Sequence, residues 1–339
     1  MKQNNLYGIF FMIVNSFALA SLYTVNKQLL SGLPSSQATL FYKLLVFLFL
    51  APWVLRKGLK GISTPVLPLH IVRAFLSITG SLLFAYGLKN TNVVNATAIG
   101  YFEQVFWAII GVYYFKEKMT VMKLIAILTS FLAMILILFP EAITNFFKRL
   151  SGEVIESSPF TFDYHYLFVI FAAIAWSINS TVIKVLGKSV KNEVQAFYVL
   201  LFSVIFAYPA AFFEWQWHPI IGNISYPTIA RVIGLDEIYL NDTQITQLFI
   251  LAFMYFVHVF SFFLSLKYAE MSTVAPFDYT RLIFICLLSY LLIGDIPQHT
   301  IQYLGYAMII GAGVILVSAE RKAKKKDLSK KLEEQMENV

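Results

Sequence analysis

Apolar runs long enough to cross a bilayer recur along the whole chain, separated by short polar stretches. They occupy residues 6–25, 38–54, 70–88, 93–115, 121–139, 165–186, 195–213, 246–267, 273–293 and 299–318. A spanning helix needs about 20 mostly apolar residues, so the pattern predicts an all-α membrane protein of ten transmembrane helices. Several connections are very short, which makes those neighbours antiparallel hairpins. The polar linker 140–164 carries Glu141, Lys148, Arg149, Glu153, Glu156 and Pro159 and divides the chain into five helices and five. A second polar segment, 214–245, holds Trp215, Trp217, Tyr226 and Tyr239. These residues favour the membrane interface, and the segment reads as a lip on the outer surface or as an external gate. The tail 319–339 is charged and lacks apolar periodicity; it reads as a solvated helix or as disordered chain.

The two halves resemble each other. An offset of 178 carries Lys89 onto Lys267, Tyr101 onto Tyr279, Phe106 onto Phe284, Glu117 onto Asp295 and Ile137-Leu138 onto Ile315-Leu316. In the first and sixth runs an offset of 157 carries Lys27 onto Lys184, and the extra residues lie in 214–245. Five is an odd number, so the second half enters from the opposite face. The pattern predicts two inverted five-helix repeats, 6–139 and 165–318.

Composition agrees with a lipid solvent. Of the 339 residues 58% are hydrophobic and 13% charged, and the mean hydropathy is +0.70. A soluble chain would be about a quarter charged. The net charge of +7 does not point to nucleic acid, because no folded basic face exists to carry it. The run RKAKKK (321–326) follows the last apolar stretch directly, where cytoplasmic charge belongs. With both termini inside, the inner face holds Lys2, Arg56, Lys57, Lys60, Lys116, Lys118, Lys123, Lys188, Lys191, Lys267 and seven tail residues. The outer face holds Lys27, Lys89, Lys148, Arg149 and Arg231, a bias of seventeen to five. The expected location is the cytoplasmic membrane of a bacterium, multi-pass, with the lipid bilayer and a small-molecule substrate as partners and a monomer or homodimer as the unit. Ala18-Leu19-Ala20 resembles a leader cleavage triplet, but the first run has a counterpart in the second half, so it reads as a retained helix. The one cysteine, Cys286, excludes an intramolecular disulfide and reads as a small packed hydrophobe. No cofactor or metal set is expected.

The informative residues are the charges inside the runs: Lys43, Glu103, Asp278 and Arg281, with His258 beside them. Each central charge costs about 2.5–3.5 kcal/mol on insertion scales and therefore faces a bundle interior or a water-filled space. Asp278 and Arg281 are three apart and share a helix face, which suits an internal ion pair. Pro276 frees a carbonyl nearby and favours a kink. Glu103 has no base within a turn, and the 178 offset places it opposite Arg281. Those two are expected to face one cavity, either as a salt bridge between repeats or as a site for a cationic group or a proton. Asn15, Asn95, Asn179, Tyr101, Trp107 and Tyr279 are further candidates for its lining, with packing as the alternative for each. Arg73 and Lys184 lie near inner helix ends, where long side chains snorkel. Glu117 and Asp295 sit at span ends, each expected to satisfy N–H groups at the start of the next helix.

The segments APFDYTRLIF (275–284) and SYLLIGDIPQHTIQYLGYAMIIGAGVIL (289–316) resemble the ninth and tenth helices of the drug/metabolite transporter superfamily, EamA type. RAFLSITGSLLFAYGLKNTNVVNATAI (73–99) resembles its third helix and the entry to its fourth, and Lys27, Lys43 and Arg73 fall where that family commonly carries basic residues. The resemblance implies two EamA repeats around a central cavity and alternating access, coupled to protons or to exchange. It implies substrates among amino acids and their derivatives, nucleotide-linked metabolites, S-adenosylmethionine and drugs. Two departures stand out. Gln104 occupies a position where the family often has proline, and Glu103 one usually held by a small or hydroxyl residue; the segment 214–245 is long.

The expected activity is secondary transport of a small polar metabolite. Glu103 and Arg281 suit a zwitterion such as an amino acid or S-adenosylmethionine; drug efflux is the alternative. No GxxxxGK[ST] is present to hydrolyse a nucleotide, and neither HExxH nor GxSxG supports an intramembrane enzyme. A non-transporting scaffold leaves the buried charges without a cause.

Overall fold

The computed structural model describes residues 5–56, 58–114, 116, 119–151, 163–186, 189–212, 241–269, 274 and 277–337, all of them helical or connecting. In chain order the helices are α1 (Asn5–Leu30), α2 (Ser35–Leu55), α3 (Leu67–Asn90), α4 (Val93–Gly100), α5 (Phe102–Tyr113), α6 (Val121–Leu138), α7 (Pro140–Leu150), α8 (His165–Leu186), α9 (Asn192–Phe212), α10 (Asp242–Tyr268), α11 (Thr280–Ile293) and α12 (Thr300–Glu337). Among the described residues seven helical segments are long and apolar enough to span, with α4 and α5 counted together as one. The α6–α7 pair, bent by 91°, makes an eighth if it is one broken span, and two shorter apolar helices, Thr280–Ile293 and Thr300–Ile315, stand where the ninth and tenth runs are expected.

Packing follows the inverted repeat. Helix α1 lies against α10, as α8 lies against α3; α1 also meets α11, as α8 meets α4 and α5; α2 packs on α9 and α6 on α12. These pairs map onto one another when the two halves are exchanged. Individual contacts do the same. A side chain grown on Gly8 would come within 3.1 Å of the Ser265 carbonyl, and one on Gly87 within 3.2 Å of the His165 carbonyl. The offset of 157 carries Gly8 onto His165, and the offset of 178 carries Gly87 onto Ser265. The same close backbone approach is thus built twice, with the glycine on opposite partners. In lipid the attraction between helices is van der Waals contact, which small residues at the seam permit. Gly87→Leu is expected to cost about 1–3 kcal/mol by overpacking against Val169 and the α8 backbone, read as a lower melting midpoint of the detergent-solubilised protein.

The linker forms α7, with Pro140 at its start, Glu141 in its first turn and Lys148 and Arg149 in its last. These charges match the helix dipole. Phe146, Phe147 and Leu150 are exposed, as in a helix that lies in the interface. Residues 152–162 and 213–240 lie outside the described residues, so the expected outer lip does too, apart from its last residues. Those begin α10: the Asn241 side chain accepts from Gln244 N while Gln244 caps in return. The charged tail continues α12 as helix to Glu337. At 38 residues that helix is about 57 Å long, well beyond the bilayer core.

Candidate functional site

Two spans break near mid-membrane. Tyr101 separates α4 from α5, and Tyr279 precedes α11. At both, the chain tightens to three-residue hydrogen bonding: Gln104 N donates to Tyr101 O at 3.0 Å and Leu282 N to Tyr279 O at 3.1 Å. The two tyrosines are equivalent under the 178 offset, and their rings stack on each other at 4.8 Å. The pseudo-two-fold axis therefore passes between them. Broken helices expose carbonyls at a depth where no lipid partner exists, and side chains take them up. Asp278 O accepts from Tyr101 Oη at 2.9 Å and from Ser16 Oγ at 3.3 Å. The Tyr279 hydroxyl donates to Gln104 Oε1, so the glutamine at that departure from the family pattern joins the two repeats. Pro276 lies outside the described residues; the observed break falls at Tyr279.

The charges gather around this axis. Arg281 pairs with Asp278 at 3.2 Å, donates to Tyr101 Oη at 3.1 Å and lies 4.6 Å from the Tyr101 ring centre. The Arg281 and Asp278 side chains retain 14% and 19% exposure. At mid-span that exposure is to an internal space, since facing lipid would be far more expensive. Glu103 accepts from Ser180 Oγ at 2.9 Å. It makes no ion pair with Arg281, so the expected inter-repeat salt bridge is replaced by two parallel arrangements. The offset of 157 carries Tyr23 onto Ser180. Glu103 faces Ser180 as Arg281 faces the Tyr23 ring, 5.9 Å away. Each charge takes the symmetry counterpart of the other's neighbour, and both lie within Coulombic range of Tyr23.

The remaining candidates close the same region. His258 Nδ1 and Asn15 Oδ1 are 2.6 Å apart, and Asn15 is buried. Lys43 is buried between the rings of Tyr255, 4.7 Å away, and Tyr42, 5.4 Å away. Asn179 Oδ1 is buried without a hydrogen-bond partner. Tyr23, Phe84 and Trp176 form a continuous aromatic wall, with ring centres 4.8 and 5.1 Å apart. Gly80 makes room for it, because a side chain there would meet Trp176 Nε1 at 2.5 Å. Sequence reading missed Tyr23, Trp176 and Ser180. The offset of 157 relates Tyr23 to Ser180, but tyrosine and serine look nothing alike. Trp107 is a residue of α5 whose side chain is outside the described set.

Asn95 stands apart from the other candidates. It donates to Tyr166 Oη at 2.9 Å and accepts from Tyr306. It lines a cleft of about 670 Å³ beside α7, lined also by Lys27, Asn92, Asp163, Asp295 and Gln302. Asp295 does not cap its own next helix. It reaches across the repeats, accepting from Val93 N at 2.8 Å and from Asn92 Nδ2 at 2.5 Å. The α4 N-terminus lies against the end of α11, whereas the start of α12 is served by Gln302, which accepts from His299 N at 3.3 Å. Lys27 donates to Leu88, Lys89 and Thr91 carbonyls at 2.6–2.9 Å, which is C-capping of α3.

A family model described as "EamA-like transporter family" matches residues 6–139 and 164–319. The chain belongs to that family. It is an all-α membrane transporter with two EamA repeats, and the two matched segments coincide with the two packing halves. Over 338 residues it is 22% identical to "Riboflavin transporter" of Vibrio cholerae serotype O1 (strain ATCC 39315 / El Tor Inaba N16961), covering 96% of this chain and 98% of that protein. A solved structure titled "Crystal structure of protein" superposes with a TM-score of 0.56 at 13% identity, covering 94% of this chain and 98% of that one. That likeness concerns the fold. Among the described residues no cluster of three His, Cys, Asp or Glu is placed to hold a metal ion.

Proposed function

We propose that this EamA-like transporter carries a planar, hydroxylated aromatic solute of the riboflavin type across the cytoplasmic membrane by alternating access. The observation that carries the reading is the wall of Tyr23, Phe84 and Trp176 at membrane depth. Half-buried Tyr23 and Trp176, backed by the buried Phe84, offer stacking area, and Ser180, Asn179, Asn15 and His258 offer neutral hydrogen-bonding groups. The relative named for riboflavin transport, alike over almost the whole length, supports the same class. Arg281 weakens the zwitterion reading, because Asp278 already neutralises it. One observation keeps S-adenosylmethionine or an amino acid as a second reading: Glu103 has no cationic ion-pair partner among the described residues, which leaves its charge for a substrate cation or a coupling proton.

The test is uptake of labelled riboflavin into a riboflavin auxotroph expressing the chain, with S-adenosylmethionine and an amino-acid mixture as comparators. Saturable riboflavin uptake is expected, lost in Trp176→Ala and largely kept in Trp176→Phe at matched membrane abundance. Saturable uptake of S-adenosylmethionine or amino acids with none of riboflavin would instead establish the second reading. Glu103→Gln is expected to cut uptake about tenfold or more without lowering abundance, and sensitivity to an uncoupler in the wild type but not in Glu103→Gln would mark it as the proton carrier. Uptake unchanged in Glu103→Gln would reduce that carboxylate to a partner of Ser180.

A further inference from the structure

The charges at membrane depth do not balance. Asp278 closes Arg281, and Glu103 stands alone as the second carboxylate. Two further cations, Lys43 and Arg73, have no carboxylate within 4.0 Å among the described residues. Lys43 is 3% exposed and lies between Tyr42 and Tyr255, whose rings and hydroxyls both face its ammonium. Arg73 donates to Gln195 Oε1 at 3.0 Å, and its Nε is buried with no acceptor. The Tyr255 hydroxyl lies within Coulombic range of both, and Lys43 is also in range of His258, the partner of Asn15. The helices α2 and α10 thus bury a cation that has two neutral tyrosines and no carboxylate beside it, and α3 and α9 bury a second, with an unused N–H donor, also within range of Tyr255.

Burying a cation in a bilayer is tolerated when something neutralises it, and aromatic faces compensate only part of the lost hydration. We propose that Lys43 forms an anion subsite that takes a carboxylate or phosphate group during transport. This deepens the reading of an aromatic substrate and rests on it for the choice of first probe. The aromatic wall takes the ring system, Lys43 supplies the counter-charge, and Tyr42 and Tyr255 hold the ammonium in place when no anion is bound. The anion is either part of the solute or a free ion bound with it.

Binding of riboflavin and of riboflavin 5′-phosphate to the full-length protein in nanodiscs separates the possibilities. The wild type is expected to prefer the phosphate by about tenfold or more, equivalent to one well-placed charge contact. That preference, read in each protein as the ratio of its two affinities, falls to within about twofold in Lys43→Met and persists in Lys43→Arg. If the subsite serves a free ion, riboflavin binding instead rises with added inorganic phosphate or chloride in the wild type and not in Lys43→Met. A wild type indifferent to the phosphate and to added anions overturns the proposal, as does a preference unchanged in Lys43→Met. If neither flavin binds, indole-3-acetate and indole-3-acetamide become the probes. Lys43-dependent preference for the acid then keeps the anion subsite and overturns the riboflavin-type reading; failure of that pair overturns the subsite as well.

Discussion

Replacing Asp278 with asparagine is expected to destabilise the folded transporter by about 3–5 kcal/mol, the largest effect of any single substitution considered, because it strands the Arg281 guanidinium inside the membrane. Among the described residues Asp278 is the only carboxylate within ion-pair distance of Arg281, at 3.2 Å, and the guanidinium also meets a tyrosine hydroxyl and two ring faces. A charge left without its partner costs more than the pair was worth. The check is a melting curve of purified protein together with its abundance in membranes. The exchange Asp278→Arg with Arg281→Asp is expected to recover most of the loss, since both charges stay on one helix face three residues apart. Removing both charges as Asp278→Asn with Arg281→Gln is expected to fold better than Asp278→Asn alone. A single mutant that melts like the wild type would mean that water in the site, and not Asp278, carries the arginine.

The second large effect is on transport itself. Asp295 ties the start of α4 to the end of α11 through Val93 N and Asn92 Nδ2, and Gln28 adds a bond to the Leu292 carbonyl at 2.9 Å. These contacts bridge the two repeats at one end of the bundle. If transport moves one repeat against the other, that end opens only when this latch parts. With Cys286 replaced, the pair Asn92→Cys and Asp295→Cys joined by a short bifunctional thiol reagent is expected to stop substrate flux in proteoliposomes, with recovery on cleavage of the linker. Asp295→Ala alone is expected to cost about 1.5–3 kcal/mol of latch strength, read as faster modification of a cysteine reporter in the cleft beside α7. Full flux through the crosslinked pair would show that the bridged ends of α4 and α11 move together, and the latch would then be a static brace.

Much of this was legible in residues alone. Runs of apolar side chains specify spanning helices because hydrocarbon leaves the backbone no partner but itself. The offset of 178 identified the residues that meet on the axis, Tyr101 and Tyr279, and set Glu103 opposite Arg281. The i, i+3 spacing of Asp278 and Arg281 was enough to predict their pairing. Three things were not legible. Glu103 sits opposite Arg281 in the repeat, yet its contact is Ser180, because equivalence under a two-fold says which residues approach the axis and nothing about which side chains span it. The aromatic wall draws Tyr23, Phe84 and Trp176 from α1, α3 and α8, and in a chain so rich in aromatics no spacing singles those three out. Asp295 was read as a cap for its own following helix, and it caps α4 instead.

The sequence by itself therefore determined the all-helical membrane class, its division into two repeats and the identity of the charges that must be hidden, because each follows from the cost of polar groups in lipid and from repeated residue order. Partnership was decided only by tertiary structure. Which carboxylate neutralises which cation, which ring faces which, and which helix end a carboxylate caps all depend on side chains separated by as many as 243 residues being brought within 3 Å, and local sequence carries no term for that distance.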